Sequence, residues 1–109
     1  MGKFIVSKRK NEEFQFNLKA TNGQIILTSE GYTTKTACLN GVESVKKNSQ
    51  EEKRFEVLES KNGKHHFNLK ATNGQTIGTS QMYESLASCQ KGIQSVMNNA
   101  PAAEIVEEL

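Results

Sequence analysis

Apolar and polar positions alternate around Phe4 and Val6, and again through Phe14, Phe16, Leu18 and Ala20, whose neighbours Gln15, Asn17 and Lys19 are polar. A period of two is that of a half-buried β-strand, so both stretches are predicted to be strands. Asn22-Gly23 follows. This dipeptide best tolerates the positive φ angles of a type I′ hairpin turn, which predicts a third strand over Gln24–Ser29, antiparallel to the second. After Tyr32 the period lengthens, and Ala37, Cys38, Gly41, Val42 and Val45 recur at three and four residues. That spacing gives a helix one apolar stripe. Thr33 or Thr34 suits its N-cap and Asn48 its C-terminus, placing it near 34–48.

The whole pattern then occurs a second time. Shifting the chain by about 51 residues aligns FNLKATNGQ at 16–24 with FNLKATNGQ at 67–75, and about 22 of 47 aligned positions are identical. Among them are Phe4 and Phe55, Tyr32 and Tyr83, Cys38 and Cys89, and Gly41 and Gly92. The second helix is placed near 85–99, with Ser85 as N-cap, Asn99 at its end and Pro101 blocking continuation. A lone unit of this size is marginal, so the 109 residues are read as one domain, 1–109, with repeats 3–49 and 54–100. Residues 101–109 have no counterpart after the first repeat and are expected to be a flexible or only nascently helical tail. Two β-β-β-α units, each apolar on one sheet face and one helix stripe, bury those surfaces best by joining sheets. The expectation is an α+β fold: one six-stranded, mainly antiparallel sheet with two helices on one face, related by a pseudo-twofold.

Composition narrows the function classes. The chain contains no Asp and no Trp, and its charge is uneven: eight Lys and Arg against four Glu in residues 1–50, six against eight in 51–109. Such a distribution offers the first repeat to an acidic partner but falls short of a dedicated nucleic-acid footprint. No apolar run is long enough for a signal peptide or a membrane span, which predicts a cytoplasmic protein whose two cysteines are reduced thiols.

The pattern F-x-L-K-A-x-N-G-x-x-I-x-T-S-x-x-Y at 16–32 and 67–83, each followed by Gly-Val/Ile-x-Ser-Val and a closing Asn, resembles the YegP-like family of small uncharacterised bacterial proteins. The resemblance covers residues 3–100. It implies a β(3)-α tandem that forms one sheet, with the C-terminal helices exchanged between repeats. Single-repeat members are expected to build the same body as dimers. It brings no catalytic, cofactor or ligand residues with it.

The residues themselves offer few sites. Cys38 and Cys89 lie on the helix stripes, where a thiol behaves as a small hydrophobe unless a cation and exposure make it a thiolate. His65-His66 are adjacent on a strand and so point to opposite faces, which prevents them from clasping one metal. Gly41 and Gly92 cost helix stability, and close packing is the natural compensation. Ser29, Tyr32, Ser80 and Tyr83 stand at the strand-to-helix junctions, as a pocket near helix N-termini or as packing and capping groups. Asn17, Lys19, Asn68 and Lys70 share the sheet face away from the helices, either a solvated face or a surface that tracks phosphates without stacking platforms. With no carboxylate pair, triad set or metal spacing, no cofactor is expected. The leading reading is a non-enzymatic binding or adaptor module for a protein or polyanion, monomeric with an internal pseudo-dimer. The alternative is weak nucleic-acid or polyanion binding through the basic first repeat, and third is a thiol sensor or enzyme using Cys38 or Cys89; the residues singled out as a binding surface are Asn17, Lys19, Asn68, Lys70, Tyr32 and Tyr83.

Overall fold

The computed structural model describes residues 2–109. Three strands, β1 (Lys3–Lys8), β2 (Phe14–Lys19) and β3 (Ile25–Thr28), lead into helix α1 (Lys35–Asn48). After a short 3-10 turn at Glu52–Arg54 the pattern recurs as β4 (Phe55–Glu59), β5 (His65–Lys70), β6 (Thr76–Thr79) and α2 (Leu86–Asn99). A further strand, β7 (Glu104–Glu108), closes the chain. Thr34 caps α1 by accepting from the Ala37 amide at 3.1 Å, and Ser85 caps α2 by accepting from the Ser88 amide at 3.1 Å. Each satisfies one amide that the first helical turn leaves without a partner.

All the strands form one sheet in the order β4-β5-β6-β3-β2-β1-β7. Its centre is the antiparallel pairing of β3 with β6 through Thr28 and Thr79, equivalent residues of the two repeats, so the pseudo-twofold passes between them. The expected six strands are therefore seven, and the sheet is mixed: β7 runs parallel to β1, with Ile105 beside Phe4 and Val106 beside Ile5. The stretch expected to be a free tail is thus an edge strand. Its alternation places Ile105 on the core while covering the outer edge of β1. That gain is invisible in a nine-residue segment considered alone.

The hairpin turns also differ from expectation. Gly23 and Gly74 take φ of 86° and 85°, but Asn22 and Asn73 do not adopt positive φ. The Gly23 amide donates to the Ala20 carbonyl at 2.9 Å, and the Asn22 side chain accepts from the Gln24 amide at 3.0 Å. These are three-residue loops closed by a left-handed glycine, and further along each ladder a register shift, between Leu18 and Lys19 and between Leu69 and Lys70, leaves Ile26 and Ile77 as extra residues. The Asn side chain bonding two residues ahead stabilises this turn in preference to type I′.

One core runs through both repeats, joining Phe4, Val6, Phe16 and Leu18 to Phe67, Leu69, Val42, Val45, Ile93 and Val96 on the helix-bearing face. Each helix begins over its own repeat, where Gly41 lies against Tyr32 and Phe16 and Gly92 against Tyr83 and Phe67. The C-terminal end of α2 reaches the other repeat, where the Thr21 hydroxyl donates to Asn99 at 3.3 Å and Gln50 donates to the Met97 carbonyl at 3.1 Å. Both helices reach across the pseudo-twofold, α1 packing against β2 and against β5 and β6, and α2 against β5 and β3. At the axis the repeats differ: a Cβ added at Gly78 would stand 2.7 Å from Leu27 Cγ, and Leu27 is the residue equivalent to Gly78. One large side chain fills the space that two could not share.

Candidate functional site

The strand-to-helix junctions are built alike in both repeats. The Ser29 hydroxyl accepts from the Phe16 amide at 2.9 Å and donates to the Glu30 carbonyl at 2.8 Å, and Ser80 does the same with Phe67 and Gln81. Tyr32 exchanges two backbone hydrogen bonds of 2.7 Å with Phe14, and Tyr83 bonds His65 in the same way, so His65 takes the place of Phe14. The tyrosine rings stack on Phe16 and Phe67 with centroids 6.3 Å apart, and their hydroxyls come to rest on Gly41 and Gly92. Burial, then the neighbouring Cys38 and Glu30, raises the Tyr32 phenol above its ordinary pKa, and burial does the same to Tyr83. Each group is thus occupied in holding a helix to the sheet.

The thiols of Cys38 and Cys89 are fully buried, and burial pushes both up from their ordinary pKa. That suppresses the thiolate a nucleophile requires. Among the described residues no cluster of three or more His, Cys or Glu side chains is placed to hold a metal.

The open sheet face is partly neutralised. Lys70 pairs with Glu56 at 3.2 Å, and Asn68 accepts from the Thr79 hydroxyl at 2.8 Å. In the first repeat Lys19 lies beside Lys3 across the β1–β2 ladder, and Asn17 lies beside Ile5. Elsewhere in that repeat, three of its eight cations are engaged: Lys8 with Glu12, Arg9 with Glu13, and Lys35 with Glu107. The carboxylates of Glu104, Glu107 and Glu108 run along β1. Folding therefore brings acid from the second half of the chain to the basic first half.

A further concavity lies at the edge that β7 does not cover. A groove of about 730 Å³ runs between β4 and α2, floored by Phe55, Val57, Ile93 and Ala87 and rimmed by Lys91 and Glu52. Val57 is 38% exposed, whereas its equivalent Val6, between β2 and β7, is fully buried. Reading the sequence missed this groove because Phe55 and Val57 match Phe4 and Val6, and that match does not tell a covered strand edge from an open one. The signal that would have found it is the absence of a second Glu-Ile-Val-Glu segment after α1, where the chain passes directly into β4.

The chain is similar to a known group of proteins along nearly its whole length. The family model described as Domain of unknown function (DUF1508) matches it twice, at residues 10–56 and 60–107. The UPF0339 protein in the ptx operon 5' region of Stutzerimonas stutzeri is 57% identical over 106 residues, covering 97% of this chain and 96% of that protein. YegP of Escherichia coli is 48% identical over 104 residues, covering 95% of this chain and 94% of YegP. The solution structure of the Escherichia coli protein, described as of unknown function, superposes with a TM-score of 0.93 at 47% identity, covering 98% of this chain and 92% of that one. That of a UPF0339 protein from Shewanella oneidensis gives 0.92 at 51%, covering 97% and 90%.

Proposed function

This chain belongs to the DUF1508 family, a domain of unknown function present here as two repeats, and from that premise we propose that it is a non-enzymatic binding module whose contact surface is the groove between β4 and α2. The observation that carries this reading is the partial exposure of Phe55 and Val57 on a sheet edge whose pseudo-symmetric counterpart is closed. Apolar floor, polar rim and an unpaired strand edge together suit recognition of another polypeptide. The groups with catalytic potential support a non-enzymatic role, since the thiols are buried and protonated and the tyrosines serve as struts. In this reading the protein acts as a cytoplasmic monomer, the second repeat standing in for a partner subunit.

Polyanion binding through the first repeat draws less support, because Glu12, Glu13 and Glu107 already engage its cations. The test is an NMR titration of the isotope-labelled protein with a mixture of short alternating peptides and, separately, with an oligothymidylate at about 50 mM salt, where phosphate contacts are strong. Peptide-induced shifts confined to β4 and α2 are expected. Oligonucleotide shifts around Lys3, Lys19 and Lys46, with none in the groove, would replace this reading by the polyanion one.

A further inference from the structure

The pseudo-twofold that relates the repeats also specifies what the open groove should hold. On the first repeat the equivalent slot is filled by β7, lying parallel to β1 with Ile105 beside Phe4 on the core and Glu107 beside Val6. Glu107 is fixed by Lys35 of the first turn of α1. The segment leaving α1 does not supply a second such strand, because it becomes β4. The corresponding slot beside β4 stands open.

The two slots differ at positions that face their occupant. Lys35 is replaced by Leu86, which is 47% exposed, so a carboxylate at the Glu107 position would lose the cation of the first helical turn, the cation that lines the groove being Lys91 further along α2. Ile5, which neighbours Val106, is replaced by Glu56, so the residue between the two inward positions meets a half-exposed carboxylate, already holding Lys70 at 3.2 Å through Oε1, rather than an apolar surface. Phe4 and Val6 are kept as Phe55 and Val57. Carrying β7 across the twofold with these changes converts its Ile-Val-Glu into apolar–cationic–apolar.

We propose that the groove between β4 and α2 binds an extended segment of a partner protein, added to the sheet parallel to β4, with two apolar residues flanking a Lys or Arg. The proposal rests on the reading of this groove as the contact surface and names its ligand. Strand addition derives affinity from backbone hydrogen bonds and specificity from alternate side chains, which is what this slot offers. A second copy of this chain fits less well. Antiparallel pairing centred on Val57 would set Phe55 against Glu59 and Glu56 against Leu58, and charged residues on an edge strand oppose self-association.

Two heptapeptide probes test the proposal on the full-length protein. One is the chain's own sequence at 103–109, Ala-Glu-Ile-Val-Glu-Glu-Leu, and the other is its transformed version, Ala-Glu-Ile-Lys-Ile-Glu-Leu. The second is expected to shift the amides of Phe55–Glu59 and of the first turns of α2 saturably, with an affinity at least about tenfold above the first. Leu86→Lys, which installs at an exposed site what the first repeat has at Lys35, is expected to narrow or reverse that preference. Equal affinity for the two probes, or no preference change in Leu86→Lys, would overturn the proposed ligand. If other alternating peptides still shift β4 and α2, the groove remains the contact surface and only its specificity is misassigned. No response from any peptide removes both. A concentration-dependent dimer by sedimentation that Val57→Lys abolishes would assign the slot to a second copy and overturn the proposal.

Discussion

Gly41 and Gly92 are the residues whose identity is most tightly set by a neighbour. A Cβ at Gly41 would stand 2.8 Å from Tyr32 Cζ and 3.0 Å from Phe16 Cε2, and one at Gly92 would stand 2.7 Å from Tyr83 Cζ and 3.1 Å from Phe67 Cε2. Gly41→Ala and Gly92→Ala are therefore expected to destabilise by about 1–3 kcal/mol despite the better helix propensity of Ala, with the Leu variants worse. In a double-mutant cycle by chemical denaturation, Tyr32→Ala should reduce the cost of Gly41→Ala. Additive effects would show that the helix does not rest on this ring. Glu12 presents the opposite case: it holds φ of 71° at the position equivalent to Gly63, whose φ is 81°. Its ion pair with Lys8 is exposed and worth little. Glu12→Gly is expected to raise stability by about 1 kcal/mol, read from the denaturation midpoint. The glycine contacts were legible in the sequence because an unexplained Gly inside an apolar helical stripe requires a close neighbour. The strain at Glu12 was not, since nothing local marks a Glu as left-handed. The cysteines set a pH dependence. Their folded pKa is raised by burial, so the stabilisation is complete below the unfolded thiol value of about 8.5 and is lost as pH rises above it. Melting temperature should fall between about pH 8 and 10, and the slope should flatten in Cys38→Ala/Cys89→Ala.

At the scale of elements, the three strands and helix of each repeat followed from periods of two and 3.6, and the caps at Thr34 and Ser85 from residue type alone. What escaped was β7. Ala, Glu and Leu are helix formers, and the two apolar residues of its centre are too few to declare a period. Its strand character comes from the edge of β1, whose Phe4 and Val6 lie at the far end of the sequence. The turn type escaped for a related reason: Asn-Gly suits both two-residue and three-residue loops, and which one forms is decided by where the strand pair closes, here at Ala20 and Gln24. Deleting residues 101–109 is expected to cost about 2–4 kcal/mol, the burial of Ile105 and Val106 together with the uncovered edge of β1. An unchanged melting temperature would mean that β7 is not held in solution.

For the whole molecule, the uneven charge along the sequence is reduced by topology, because the last strand carries Glu104, Glu107 and Glu108 back to the basic first repeat. Net charge by halves was legible, but its distribution in space depended on where one terminal segment lands. The same holds for the pairing of the repeats, which was legible from the duplication, whereas the difference between their outer edges was not. The central joint is narrow, with a single bridging residue pair between β3 and β6, and it is filled by Leu27 lying over Gly78. This complementarity has an evolutionary consequence. A dimer of identical single repeats would have to place the same residue at both positions, giving Leu against Leu, which overfills the space, or Gly against Gly, which leaves it empty. Once duplication made the two positions separately mutable, one could enlarge as the other shrank, and the halves became dependent on each other like a lock cut for one key. Residues 1–51 expressed alone should then fail to form the twofold body by ultracentrifugation and circular dichroism, and Gly78→Leu in the full chain should destabilise it, whereas Leu27→Gly/Gly78→Leu should recover much of the loss.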